Sequence, residues 1–388
     1  MPIALLAHGF RPFFLLSGIW AALTITLWVA ALHGAPLPPG PLPIVHWHAH
    51  EMIAGFIGAA ISGFLLTAVP NWTGRRGYGG APLALLVALF VAGRLVLLPG
   101  SPVPVGIAAV VALLPLPALL LIVLPALLRA RTPRLFGPPA IVLGFWAADL
   151  LMLGGEAGWW DLDFDIGALL ALNVALMLVG LIGGRIVPSF TVNALRKAGR
   201  PAELRPLPGV DRAAVVSLLG VAIVDLLWPE GVLSGLVSGV AAALLALRLS
   251  RWHGLRTLDQ PIVWILHLGY ALAPLALAVK AVALLTGADW AAGWMHLQGA
   301  GAIAVMILAV MTRATLGHTG RALEVGRATT LAYLLLPLAA LTRAFGPALL
   351  PSTVAYGLAG GFWVAAFGLF LAVYGPMLLR PRADGKPG

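Results

Sequence analysis

HWHAHEMIAGFIGAAISGFLLTAVP, residues 46–70, is the stretch whose reading decides the fold. From Met52 to Val69 it runs eighteen residues without a charge or a proline. As an α-helix that run rises about 27 Å, close to the ~30 Å hydrocarbon core of a bilayer. A helix also satisfies its own backbone hydrogen bonds, which lipid cannot do for it, and the alternating pattern of a barrel strand is missing. Working outward, similar spans are expected near 11–33, 81–99, 104–128, 136–154, 166–188, 212–228, 231–250, 260–286, 292–314, 328–346 and 352–378. The expected fold is therefore all-α, with about twelve transmembrane helices in a single integral-membrane domain over 1–388.

Composition agrees. The chain is 61% hydrophobic and 10% charged, with a mean hydropathy of +0.99, far from the balance of soluble proteins. The first apolar segment is too long for a secretory signal and is expected to stay as a resident span. Cysteine is absent, which excludes thiolate-bound zinc, Cys-ligated haem and iron–sulfur clusters, and disulfides. A metal would have to use His, Asp, Glu or Met.

The formal charge of +10 reflects topology rather than nucleic-acid binding. Basic residues gather in or beside alternate loops: Arg75 and Arg76; Arg129, Arg131 and Arg134; Arg196, Lys197, Arg200 and Arg205; Arg248, Arg251 and Arg256; Arg313, Arg321 and Arg327; Arg380, Arg382 and Lys386. The opposite loops hold Glu156, Asp161, Asp163, Asp165, Glu230 and Asp289. The positive-inside rule then puts both termini in the cytoplasm. An internal repeat is also suggested. His50 stands 23 residues before Thr73-Gly74-Arg75, as His296 stands 23 residues before Thr319-Gly320-Arg321. Gly55 and Gly301 match as well, and the period is four helices, giving three pseudo-symmetric four-helix units.

His46, His48 and His50 fall within five residues at the mouth of the second span. His46 and His50 share a helical face, and Glu51 follows. Interfacial His and Trp can simply anchor a helix end; three histidines together favour metal ligation, for which neutral imidazole suits haem iron, copper and zinc. His296 lies at the same external depth as His50, as axial ligation of a haem between helices requires. His267, about two turns inside the ninth span, is a second ligand candidate or a packed, hydrogen-bonded residue. Arg94, Asp149, Asp225, Lys280 and Arg343 fall towards the external ends of their spans, where charges pair or line polar cavities. Arg94 and Arg343 suit haem propionates, and Glu51 and Lys280 suit proton relay as catalytic residues. His8, Arg11, His318 and Arg321, on the cytoplasmic side, form a possible second site for an anion or metal.

Four motifs carry a family resemblance: Gly9-Phe10-Arg11-Pro12-Phe13-Phe14, Trp47-His48-Ala49-His50-Glu51-Met52, the run from Gly63 to Gly74 (GFLLTAVPNWTG), and Gly317-His318-Thr319-Gly320-Arg321. In these motifs, in order along nearly the whole chain, the protein resembles the NnrS family of haem- and copper-containing membrane proteins linked to denitrification and the bacterial nitric oxide response. The resemblance implies haem b, copper and nitric oxide as ligand. A remoter analogy is the catalytic subunit of haem–copper oxidases and nitric oxide reductases, with its three arcs of four helices and haem ligands on the second and tenth. That superfamily takes copper ligands from the sixth and seventh helices, and here those spans hold no histidine, so copper would fall to His46, His48 or His267.

The function expected from sequence is thus a haem b and copper membrane protein that binds nitric oxide and reduces or detoxifies it, using an unidentified electron donor. A non-catalytic nitric oxide sensor or buffer, or a metal-handling accessory protein, is the alternative. A transporter is a third reading, suggested by Gly- and Pro-interrupted helices with buried charge.

Overall fold

A computed structural model of the chain describes residues 4–130, 132, 135–204 and 207–386. Arg131, Arg134 and Arg205, three of the basic loop residues invoked above, lie outside the described residues. Among the described residues ten helices are long and apolar enough to cross a membrane: Phe10–Leu32, Ile44–Thr73, Val105–Ala130, Gly137–Glu156, Phe164–Lys197, Val232–Leu249, Pro261–Thr286, Asp289–His318, Arg327–Ala348 and Ser352–Leu379. The two remaining expected spans correspond to Gly80–Leu95, apolar but 16 residues long, and Pro208–Leu227, which carries Asp211, Arg212 and Asp225. No β-strand occurs among the described residues. The chain is an all-α, multi-pass membrane protein.

The helices form two compact units. The first comprises residues 1–171, 314–322 and 367–388; the second comprises 172–313 and 323–366.

Three of the long helices, Ile44–Thr73, Phe164–Lys197 and Asp289–His318, each widen into a π-helical segment, at Glu51–Ile57, Val179–Gly183 and Leu297–Ile303. A π turn shifts carbonyls out of register with the ordinary ladder and is often found at functional sites. In the first unit the Ser17 hydroxyl donates to the carbonyl of Phe56 at 3.1 Å. In the second, buried Arg248 donates to the carbonyl of Gly180 at 2.7 Å and to Asp211 at 2.7 Å. Gly184 permits that approach, since a Cβ there would fall 2.2 Å from the guanidinium.

The repeat read from sequence reappears in local geometry. One π segment begins directly after His50 and another directly after His296. Both helices then end alike. Gly74 (φ +66°) and Gly320 (φ +73°) adopt the left-handed conformation that closes a helix. The Arg75 amide donates to Pro70 and the Arg321 amide to Leu316, each five residues back. Thr73 and Thr319 both return their hydroxyls to the carbonyl four residues earlier.

Replacing Arg248 with Ala strands the Gly180 carbonyl, and we expect a loss of about 1–3 kcal/mol, read as a lower melting temperature in detergent. An unchanged melting temperature would show that water or a relaxed π turn replaces the arginine.

Candidate functional site

In the first unit the histidine-rich mouth of Ile44–Thr73 meets charges from two other helices and an indole from a third. His50 is wholly buried. Its Nδ1 lies 2.9 Å from Glu51 Oε1 and its Nε2 lies 2.9 Å from Asp149 Oδ1, on Gly137–Glu156. Arg94, on Gly80–Leu95, donates to the same Glu51 oxygen at 3.1 Å. The second Glu51 oxygen accepts the indole N–H of Trp20, from Phe10–Leu32. Gly55 makes room for this: a Cβ there would come within 2.4 Å of the Trp20 ring. Both ring nitrogens of His50 can donate only when the ring is doubly protonated, and that state sets two cations against two carboxylates. Balanced charge is what lets four ionisable groups sit in a lipid-embedded interior.

Beside this cluster is a small recess lined by Arg94, Asp149, Ala54, Gly58, Ser62 and Phe90. Arg94 Nε is buried there without a hydrogen-bond partner among the described residues. The recess has room for about one water-sized molecule.

His46 and His48 part company with His50. His46 Nδ1 lies 2.6 Å from Glu156 Oε1, and its ring stacks on Phe164 with centroids 4.3 Å apart. A carboxylate on one ring nitrogen is how metal-binding histidines are commonly oriented, leaving Nε2 as the donor atom. His48 stacks flat on Trp28 at 4.5 Å, as an interfacial anchor would.

The second unit has its own charge cluster. Asp225 accepts from Lys280, from Ser234 and, at 2.7 Å, from the Asn173 amide. Gln298, in the π segment of Asp289–His318, donates to Asn173 at 3.1 Å. Lys280 is wholly buried and lies 4.7 Å from the centroid of Trp294. Its partner Asp225 was among the charges singled out from sequence; Ser234, Asn173 and Gln298 were not. Neutral polar residues in apolar helices give no charge signal, although an intramembrane Asn and Gln two residues past His296 were visible clues. Arg343 rests over the Tyr356 ring at 4.3 Å. His296 is half-buried at the start of its helix.

The haem implied by the family resemblance does not fit His50 or His267 as they stand. Iron needs a ring nitrogen with a free lone pair, and both nitrogens of His50 face carboxylates. His267 bonds Thr191 through Nε2 at 2.8 Å. Its Nδ1 has no hydrogen-bond partner but is packed so tightly on Gly254 that a Cβ there would lie 2.6 Å away. Among the described residues no three His, Asp or Glu side chains are grouped to hold a metal ion. His8, Arg11, His318 and Arg321 are brought together in the first unit, near the N-terminal end of Phe10–Leu32.

A family model described as NnrS protein matches residues 4–382. No curated protein matches the chain.

Single replacement of either member of the Lys280–Asp225 pair leaves a buried charge unpaired, at a cost of about 3–5 kcal/mol. The Lys280→Met, Asp225→Leu double variant should lose markedly less than the sum of the two. Additive losses in unfolding titrations would contradict direct pairing.

Proposed function

The chain belongs to the NnrS family, and from that premise we propose that it serves the nitric oxide response as a membrane protein that binds nitric oxide and reduces it. The observation that carries the reading is a buried, charge-balanced set of His50, Glu51, Asp149 and Arg94 beside a recess with room for a water-sized molecule. Nitric oxide is small and uncharged, so it enters such a cleft through lipid. Converting two nitric oxide molecules to nitrous oxide and water takes up two protons and two electrons. His50, held between two carboxylates, is placed to hold and release protons next to the cleft, and Arg94 fixes the Glu51 carboxylate against the ring by donating to the oxygen that His50 faces.

The electrons must come from a partner donor through a redox group, and haem b and copper are the groups the family implies. His46 is the chain's best-prepared ligand for copper, since Glu156 already orients its ring; bound there, copper would supply one-electron chemistry. No proton step depends on that assignment. We place the protein in the bacterial inner membrane with both termini cytoplasmic, on the alternation of Arg- and Lys-bearing loops.

Purified protein, reduced with a dye mediator and given nitric oxide repeatedly, should release nitrous oxide in successive turnovers. Asp149→Asn should slow that release by roughly 100-fold, the lower end of what a positioned proton donor contributes, while its pyridine-haemochrome spectrum and copper content match those of the parent. Saturation after a single equivalent, without nitrous oxide, would replace the enzyme with a nitric oxide buffer. Absence of both haem and copper would remove the redox proposal. A reporter fused after Arg380 should be active in its cytoplasmic form only; the opposite result reverses the topology.

A further inference from the structure

Arg11 lies one residue inside the first membrane helix and is 0% exposed. One terminal nitrogen, Nη1, caps the end of Ser352–Leu379 by donating to the carbonyls of Met377 (3.4 Å), Leu378 (3.0 Å) and Arg380 (2.7 Å). These are among the last carbonyls of a helix, which have no partner within it. The other edge of the guanidinium is different. Nε and Nη2 are both buried and neither has a hydrogen-bond partner among the described residues. That edge carries two parallel N–H groups, the fork that binds two oxygens of one carboxylate or phosphate. A buried, permanently charged fork with both donors unmatched is unusual, because buried polar groups are nearly always satisfied.

Among the described residues the surroundings supply more positive charge, and the nearby carboxylate is already engaged. Arg321 and Arg382 act electrostatically on Arg11, and Arg11 and Arg382 act on His8. Burial first, and then those two arginines, push the His8 imidazole below its ordinary value. His318 lies within the field of His8 and Arg382, and its ring meets Phe10 at 5.4 Å while His8 stacks on the same ring at 6.2 Å. Asp384 is the carboxylate of this region, and Arg382 already holds both of its oxygens, at 2.9 and 2.6 Å. The tail is tied down by Arg382 donating to the His318 carbonyl at 2.9 Å and by Ala383 N–H donating to Thr319 at 3.0 Å. Gly320 lets Asp384 approach, since a Cβ there would sit 2.5 Å from its carboxyl carbon.

We infer that the first unit carries an oxyanion site in which the free fork of Arg11, with Arg321, His8 and His318 around it, binds a phosphate group. A metal ion is disfavoured by the converging cations. The phosphate could be free inorganic phosphate or the headgroup of an anionic lipid, and in either case it joins the start of the first helix to the Gly317–Arg321 turn and the C-terminal tail. The site is independent of the His50 cluster and of any nitric oxide chemistry.

The test uses the full-length protein in nanodiscs and follows thermal unfolding. In phosphatidylcholine discs, inorganic phosphate is titrated at constant ionic strength against chloride. In a second arm, phosphate-free buffer is used and phosphatidylglycerol replaces part of the phosphatidylcholine. A saturable rise in melting temperature with phosphate assigns a free anion, and one with phosphatidylglycerol alone assigns a lipid headgroup. In either case Arg321→Gln should raise the half-saturating concentration about tenfold or more, and Arg11→Lys, which keeps the charge but removes the fork, should abolish the rise. Because Arg11 also caps a helix, Arg321→Gln and His318→Gln carry the result where Arg11→Lys does not fold. No saturable rise from either source, or a rise that Arg321→Gln and His318→Gln leave unchanged, overturns the proposal.

Discussion

A charge in lipid has to be matched inside the protein, and this constraint organises both units. In the first, Arg94 and His50 face Glu51 and Asp149. In the second, Lys280 faces Asp225, which Asn173 and Ser234 also bond. Each cluster ties together helices distant in sequence. With no water available, the alternative to pairing is an isolated ion, which costs far more than the pair returns. Arg248 follows the same rule at a π turn, where it satisfies both a displaced carbonyl and Asp211.

π segments give these clusters their geometry. They widen Ile44–Thr73, Phe164–Lys197 and Asp289–His318, and in Ile44–Thr73 the π segment sets the turn that carries Glu51 beside Trp20 and Gly55. His50 is held so completely that it presents no ring nitrogen to a metal. Its bonds suit it to hold a proton between two carboxylates. Arg94 and the small recess beside it put that proton next to a space with room for a water-sized molecule.

Much of this was legible in sequence because the signals are coarse and strong. Long uncharged runs fixed the helices, and the matched Thr-Gly-Arg triplets after His50 and His296 announced two helix ends that share the same hydrogen bonds. Glu51, Arg94, Asp149, Asp225 and Lys280 stood out because charges inside apolar helices are rare. Partner choice was less legible. Nothing in the spacing of Arg94 said that it would bind Glu51 rather than an acidic group of a cofactor, or that His46 would turn to Glu156 while His48 stacked on Trp28. Side chains such as Asn173, Ser234 and Gln298 are silent in hydropathy, and the π turns leave no periodic mark in Gly- and Ala-rich helices. Arg11 was visible as a motif residue, but only three-dimensional placement shows one edge of its guanidinium capping a distant helix and the other edge free.

The central claim is that the buried His50 cluster exchanges protons when nitric oxide occupies the adjoining cleft. Infrared difference spectroscopy on the reduced protein, with and without nitric oxide, tests it directly. The account predicts a shift in a carboxyl band that disappears in Asp149→Asn or Glu51→Gln. A nitric oxide-dependent spectrum with no carboxyl contribution from either residue would contradict it.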